Sequence, residues 1–169
     1  MSQYFKLIGI VFVLVSLLAV ALSRVTAGEQ RPYKSDGPEW VVQEGPGGAC
    51  GADRIDVQVE GRGQATHLGE YSITRHHCFN PALGAFEDGT FEQTAANGDK
   101  ISGTYSGFVA GVLEVDDQGN PSVIIINATQ VITGGTGRFA GAEGQSELYS
   151  EFNLITHQGD FTMEGWISY

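Results

Sequence analysis

Basic residues are scarce in this chain: nine Lys and Arg stand against twenty Asp and Glu, a formal charge of −11. Such a surface repels a phosphate backbone, and the bases are scattered singly, so nucleic-acid binding is excluded. Charged residues of both signs reach only 17%, and no long apolar stripe of helical period appears. The sequence has no Gly-Lys-Ser or Gly-Lys-Thr phosphate loop, no Gly-x-Ser-x-Gly elbow and no zincin His-Glu pair. Asp116-Asp117-Gln118-Gly119 is too short for a calcium loop. Helical, hydrolytic and calcium-binding readings therefore lack support. What is plentiful is glycine, at 24 residues, which in an alternating chain serves turns and tight strand crossings.

Residues 1–27 read as an export signal. Lys6 supplies the positive start, Leu7 to Leu22 is mostly apolar, and Val25-Thr26-Ala27 suits a small-residue cleavage site before Gly28. A sixteen-residue run is short against the ~20 residues a membrane anchor needs, so cleavage is favoured over retention. Lys6 and Arg24 leave with the segment and no acid does, so the charge moves from −11 to −13. The expected address is secreted or periplasmic. There the two cysteines, Cys50 and Cys78, read as a disulfide. A catalytic thiol, the other reading, has no signature near either.

Residues 28–53 are rich in Gly, Pro and acid, with Pro32, Pro38 and Pro46 spaced along them. They read as a flexible segment in which only Glu39 to Glu44 forms an edge strand. From Arg54 the period becomes two, and residues 54–169 read as one domain. Ile55, Val57 and Val59 alternate with Asp56, Gln58 and Glu60 until Gly61 and Gly63 break the run. Gln64 to Arg75 follows, with His67, Tyr71 and Ile73 on one face. Asn97-Gly98 marks a hairpin between Gly89–Ala95 and Lys100–Val115. Ser122–Thr133, Gln145–Leu154 and Phe161–Ser168 complete the set. Counting the weak run at 39–44, about eight strands follow one another without helices, which predicts an all-β, antiparallel, up-and-down barrel.

Between two of these strands lies Gly134-Gly135-Thr136-Gly137-Arg138-Phe139-Ala140-Gly141-Ala142. Gly134, Gly135, Gly137 and Gly141 permit positive φ, and Phe139 among them reads as a core plug. Gly135 to Ala140 matches the form of a dinucleotide fingerprint, but Gly141 and Gly144 interrupt the helix that fingerprint requires. Ile132 to Ala142 resembles the turn shared by allene oxide cyclases and dirigent proteins. A bacterial group of allene-oxide-cyclase-like, calycin-like barrels is similar over roughly residues 54–169. That likeness includes His67-Leu68-Gly69, Asp88-Gly89-Thr90-Phe91, Ala96-Asn97-Gly98-Asp99, Gly103-Thr104-Tyr105 and Gly165-Trp166-Ile167-Ser168-Tyr169. The resemblance implies the eight-stranded barrel. The catalytic polar residues of the plant enzymes and the paired acids of dirigent pockets have no matching positions here, so catalytic residues stay unassigned.

Polar groups inside alternating strands are the candidate site. His67, Tyr71, Tyr105 and Asn127, with Glu92 beside them, could orient a bound molecule if they point inward. The alternative is structural: tyrosines capping a barrel end and Asn127 bonded to backbone. His76 and His77 are adjacent, so in a strand they face opposite sides and cannot share a metal without a bulge; no metal or other cofactor is expected. Asn127-Ala128-Thr129 has the form of a glycosylation sequon but falls mid-strand, and no glycan is expected. The leading functional expectation is a module that binds or orients a small, largely apolar molecule in the barrel. The resemblance implies an alternative, a cofactor-free cyclase or isomerase. A third is a solid barrel whose outer face serves self-association as a homo-oligomer.

Overall fold

The computed structural model describes residues 28–169; the export signal expected at 1–27 lies outside the described residues. Eight antiparallel strands follow in chain order and close on themselves. They are β1 (Arg31–Pro46), β2 (Ile55–Ala65), β3 (Gly69–Asn80), β4 (Ala85–Ala95), β5 (Lys100–Val115), β6 (Pro121–Gly135), β7 (Glu143–Asn153) and β8 (Gln158–Ser168). β1 pairs with β8 from Arg31↔Ile167 to Trp40↔Gln158, which seals the barrel and leaves no free edge. Among the described residues no helix is long and apolar enough to cross a membrane.

Two strand expectations need correction. Residues 31–46 are a full sixteen-residue strand bonded on both sides, where the sequence suggests a tether with one edge strand at 39–44, and the barrel therefore starts before residue 54. Proline is tolerated because Pro32 and Pro46 lie near the strand ends, and the ladder to β2 skips Gly37 and Pro38 without a change of register. Nor do Gly61 and Gly63 break β2: the strand runs through both, facing Ile73 and Tyr71 of β3.

That pairing recurs. Three inward tyrosines each lie opposite a glycine on the neighbouring strand: Tyr33↔Gly165, Tyr71↔Gly63 and Tyr105↔Gly89. Phe161↔Gly37, Phe91↔Gly103, Phe86↔Gly107 and Phe152↔Gly159 repeat it. An eight-stranded barrel is barely wide enough for its own side chains, so a ring needs a facing position with no Cβ.

The two ends of the barrel differ. At one end the glycine turn folds inward as a single 3-10 turn, Gly137–Phe139, with Gly137 and Gly141 at φ 60° and 77°. Phe139 is fully buried among Leu68, Ile101, Ile132 and Ile167, its ring 4.8 Å from that of Tyr169. The plug read from sequence is there. At the other end, loops 47–54, 81–84, 116–120 and 154–157 surround an opening. The first carries Cys50, which is bonded to Cys78 with 5.3 Å between Cα atoms. Cys78 lies on the outer face of β3, so the disulfide straps this loop against the outside of the mouth.

Two outcomes follow. With a sequence separation of 28 between its cysteines, the bridge limits the unfolded chain by about 3–4 kcal/mol. A double Cys50→Ser, Cys78→Ser variant is expected to lose that much in urea unfolding; a loss under 1 kcal/mol would show the strap to be dispensable. A Cβ on Gly89 would stand 2.3 Å from the Tyr105 carbonyl oxygen and 2.7 Å from its ring. Gly89→Ala is thus expected to cost about 1–3 kcal/mol, read from the same unfolding midpoint.

Candidate functional site

The open end leads into a cavity of about 270 Å³ inside the barrel. Its walls are apolar: Val57 and Val59 from β2, Ile124 and Ile126 from β6, Leu148 and Phe152 from β7. Period two explains them, since each strand turns every second residue inward. Most register shifts fall in this half of the barrel, at Val41/Gln43, His76/Cys78, Phe86/Gly89 and along Val109–Val115. Bulges re-aim side chains, and here they set Phe86 against His77 with ring centroids 4.5 Å apart.

Two polar pairs interrupt the lining. Arg75 and Glu39, both buried, form an ion pair through Arg75 Nη1 and Glu39 Oε2. Glu39 Oε1 accepts from the Ser150 hydroxyl at 2.7 Å, and the guanidinium lies 4.6 Å from the centroid of the Phe161 ring. Arg75 Nε is sealed without a partner. The pair is satisfied mainly by itself, as a buried charge must be.

The second pair is His77 and Tyr105, with Nδ1 and the phenol oxygen 2.6 Å apart. Burial lowers the imidazole pKa from 6.5 to about 4; the positive charges of His76 and Arg75 add to this and Asp56 opposes it. Burial also raises the Tyr105 phenol, against the pull of Arg75. At neutral pH both groups are uncharged. Nδ1 is the phenol's one protein acceptor among the described residues; the arrangement that satisfies both groups has the O–H donating to Nδ1, with the imidazole hydrogen on Nε2. Nε2 has no protein partner there, and the ring lines the cavity.

Below the ion pair the interior is filled. Tyr33 donates to Gln93 at 2.8 Å, and Tyr71 shares a hydrogen bond with Ser35. Of the four residues expected to face a ligand, only Tyr105 lines the cavity. Tyr71 is buried beneath it. His67 is not in a strand: it stands in the β2–β3 turn with φ 71°, its Nε2 3.1 Å from the Pro32 carbonyl at the closed end. Its shared face with Tyr71 fails because Gly69, at φ 73°, ends the turn that contains it. Asn127 points outward, opposite Phe108 and Tyr149. Glu92 is also outside, 2.7 Å from Lys100 Nζ.

Sequence reasoning missed Glu39 and Arg75 and considered His77 only as a metal ligand. Counting in twos from Tyr71 and Ile73 would have found Arg75 and His77 on the dry face. The two histidines do separate as adjacent strand residues should. His77 faces in, while His76 faces out with Nε2 2.9 Å from Asp56. Cys50, Asp56 and His76 bring ligand-type atoms within 4.8 Å of one another, but the Cys50 sulfur is held in the disulfide. Neither a scan against protein-family models nor comparisons with characterised proteins and solved structures finds a match for the chain.

His77 makes stability depend on pH. Its folded pKa lies below the unfolded value, so folding is unpenalised above pH 6.5 and loses stability as pH falls toward 4. That loss, about 3 kcal/mol at most, is expected to be absent from His77→Phe. The check is the difference in urea stability between the two proteins at pH 7.5 and pH 4.5; parallel pH profiles would place the imidazole in water.

Proposed function

We propose that the chain is an exported binding module that holds a small, largely apolar molecule in the mouth cavity. The observation that carries this reading is the cavity: open at one end, apolar on its walls and floored by polar groups. Its 270 Å³ lies near the lower end of small-molecule sites, which run from ~300 Å³ upward. Water occupies ~30 Å³ in the liquid, so the space suits about nine methylene-sized groups. In the loops around the mouth Leu83 and Ile155 are 74% and 69% exposed, and Leu154 beside Ile155 in the chain is also exposed. An apolar guest would meet compatible surface before it entered. The disulfide suits an oxidising compartment, in keeping with a secreted or periplasmic address.

Burying about 300 Å² of apolar ligand surface is worth roughly 7 kcal/mol at ~25 cal/mol per Å². That alone corresponds to a Kd of about 10 μM, and the costs of association make this the tight limit, so affinity is expected to be micromolar or weaker. Allene-oxide-cyclase-like kinship accords with the closed barrel, and the paired His77 and Tyr105 favour a second reading. In it the same cavity acts as a cofactor-free cyclase or isomerase, directing a bound intermediate by position. The hollow mouth argues against a barrel serving only as a solid scaffold.

N-phenyl-1-naphthylamine, an uncharged dye that brightens in apolar surroundings, tests the first reading. Its fluorescence is expected to rise and saturate in the micromolar range with the wild-type protein. Val57→Trp, which fills the cavity, is expected to weaken binding at least tenfold. Equal binding to a folded Val57→Trp protein would locate the dye elsewhere and remove the basis for the reading.

A further inference from the structure

We propose that the cavity selects an uncharged molecule carrying one hydrogen-bond-accepting oxygen, such as a ketone or ester, and rejects the carboxylate of the same length. This rests on the binding reading and adds the chemistry of the guest's polar end.

Arg75 is the only Lys or Arg lining the cavity, and it is already committed. Nη1 is bonded to Glu39, Nε is sealed off, and the guanidinium face covers Phe161. Nη2 stands 3.9 Å from the Met163 sulfur. A ligand carboxylate placed beside it would put two carboxylates against one guanidinium. The second would lose its water without a free cation to replace it. On its way in, such an anion passes Glu44, which lines the mouth, and the acidic surface as a whole.

The available donor is a neutral one. His77 lines the cavity with Nε2 unpaired, while Tyr105 holds Nδ1 and Phe86 packs on the ring. Position and ring orientation are thus fixed from both sides before a ligand arrives, and the tautomer that satisfies the phenol leaves an N–H at Nε2. One N–H matches one accepting oxygen, and a purely aliphatic guest would leave it unpaired. A neutral donor among apolar walls is a poor mate for a charge and a good one for a carbonyl.

The test is displacement of bound N-phenyl-1-naphthylamine at pH 7.5 by 2-nonanone and by nonanoate, which share a chain length and differ in the end group. With the wild-type protein, 2-nonanone is expected to compete at least tenfold more strongly. Glu39→Gln frees the Arg75 charge and is expected to raise nonanoate binding about tenfold relative to 2-nonanone. His77→Phe is expected to weaken 2-nonanone about tenfold relative to nonanoate. If the dye binds the cavity but nonanoate competes as well as 2-nonanone, or neither competes, selection for a neutral acceptor is wrong and the binding reading survives. If the dye fails to bind the cavity, both fall together.

Discussion

Eight strands enclose little space, and a ring from one strand can occupy it only where the facing strand yields its own. Seven inward aromatic residues meet that condition by lying opposite a glycine. The geometry is tight: a Cβ at Gly107 would come within 2.5 Å of the Phe86 ring, and one at Gly103 within 2.9 Å of Phe91. Glycine is unfavourable in a strand because its unfolded freedom must be given up. Here each of these seven is offset by a buried ring, so part of the glycine in the composition follows from the need to fill a narrow barrel. The same pairing fixes register, since a slip of one residue would bring ring against side chain along a whole strand.

The division between filled and hollow halves depends on where this packing stops. From Phe139 upward the interior holds Tyr33, Tyr71, Gln93 and Gln130, all buried. Arg75 and Glu39 close that storey with a pair satisfied largely by its own charges, Ser150 and Phe161. Above them the inward residues are mostly aliphatic and shorter, and bulges widen the ladder. A salt bridge there contributes little net stability compared with apolar packing. It does give the cavity a floor whose charge is internally cancelled. Function and packing meet at this level: an interior filled to the mouth would need neither the pair nor the bulges.

Much of this architecture was legible in the residues. Alternation marked the strands from β2 onward, Asn97-Gly98 marked a hairpin, and the turn around Phe139 announced a plug. The strap between Cys50 and Cys78 followed from an even pair of cysteines in a chain read as exported. What escaped was β1, because Pro32, Pro38 and Pro46 argue against a central strand when read locally. Only the pairing on both sides shows how they are accommodated: Pro32 and Pro46 lie near the strand ends, and the ladder to β2 skips Gly37 and Pro38. The site was half legible for a related reason. Strand parity is reliable within a strand and uninformative across a turn, so beginning this strand at Gln64, five residues before β3 starts, placed His67 with Tyr71. In β6 parity grouped Asn127 with Val123, Ile125 and Val131, yet that face is the outer one. Apolar residues on both faces of that strand concealed which was wet.

That last ambiguity has a physical source. Ile124, Ile126 and Ile132 are inside, while Val123, Ile125 and Val131 form the other face of the same strand, with Val131 40% exposed. Hydrophobicity marks a face as dry only when its alternate is polar. In this strand neither is, and the direction of the side chains is decided by neighbours with clearer patterns. β7 supplies it: Ser146, Leu148, Ser150 and Phe152 are buried, while Glu147 and Glu151 face solvent opposite Thr129 and Ile125. Orientation within a closed sheet is therefore a collective property. One strongly alternating strand sets the facing of its ambiguous partner through the ladder between them, and the cavity wall takes its aliphatic character from a decision made one strand away.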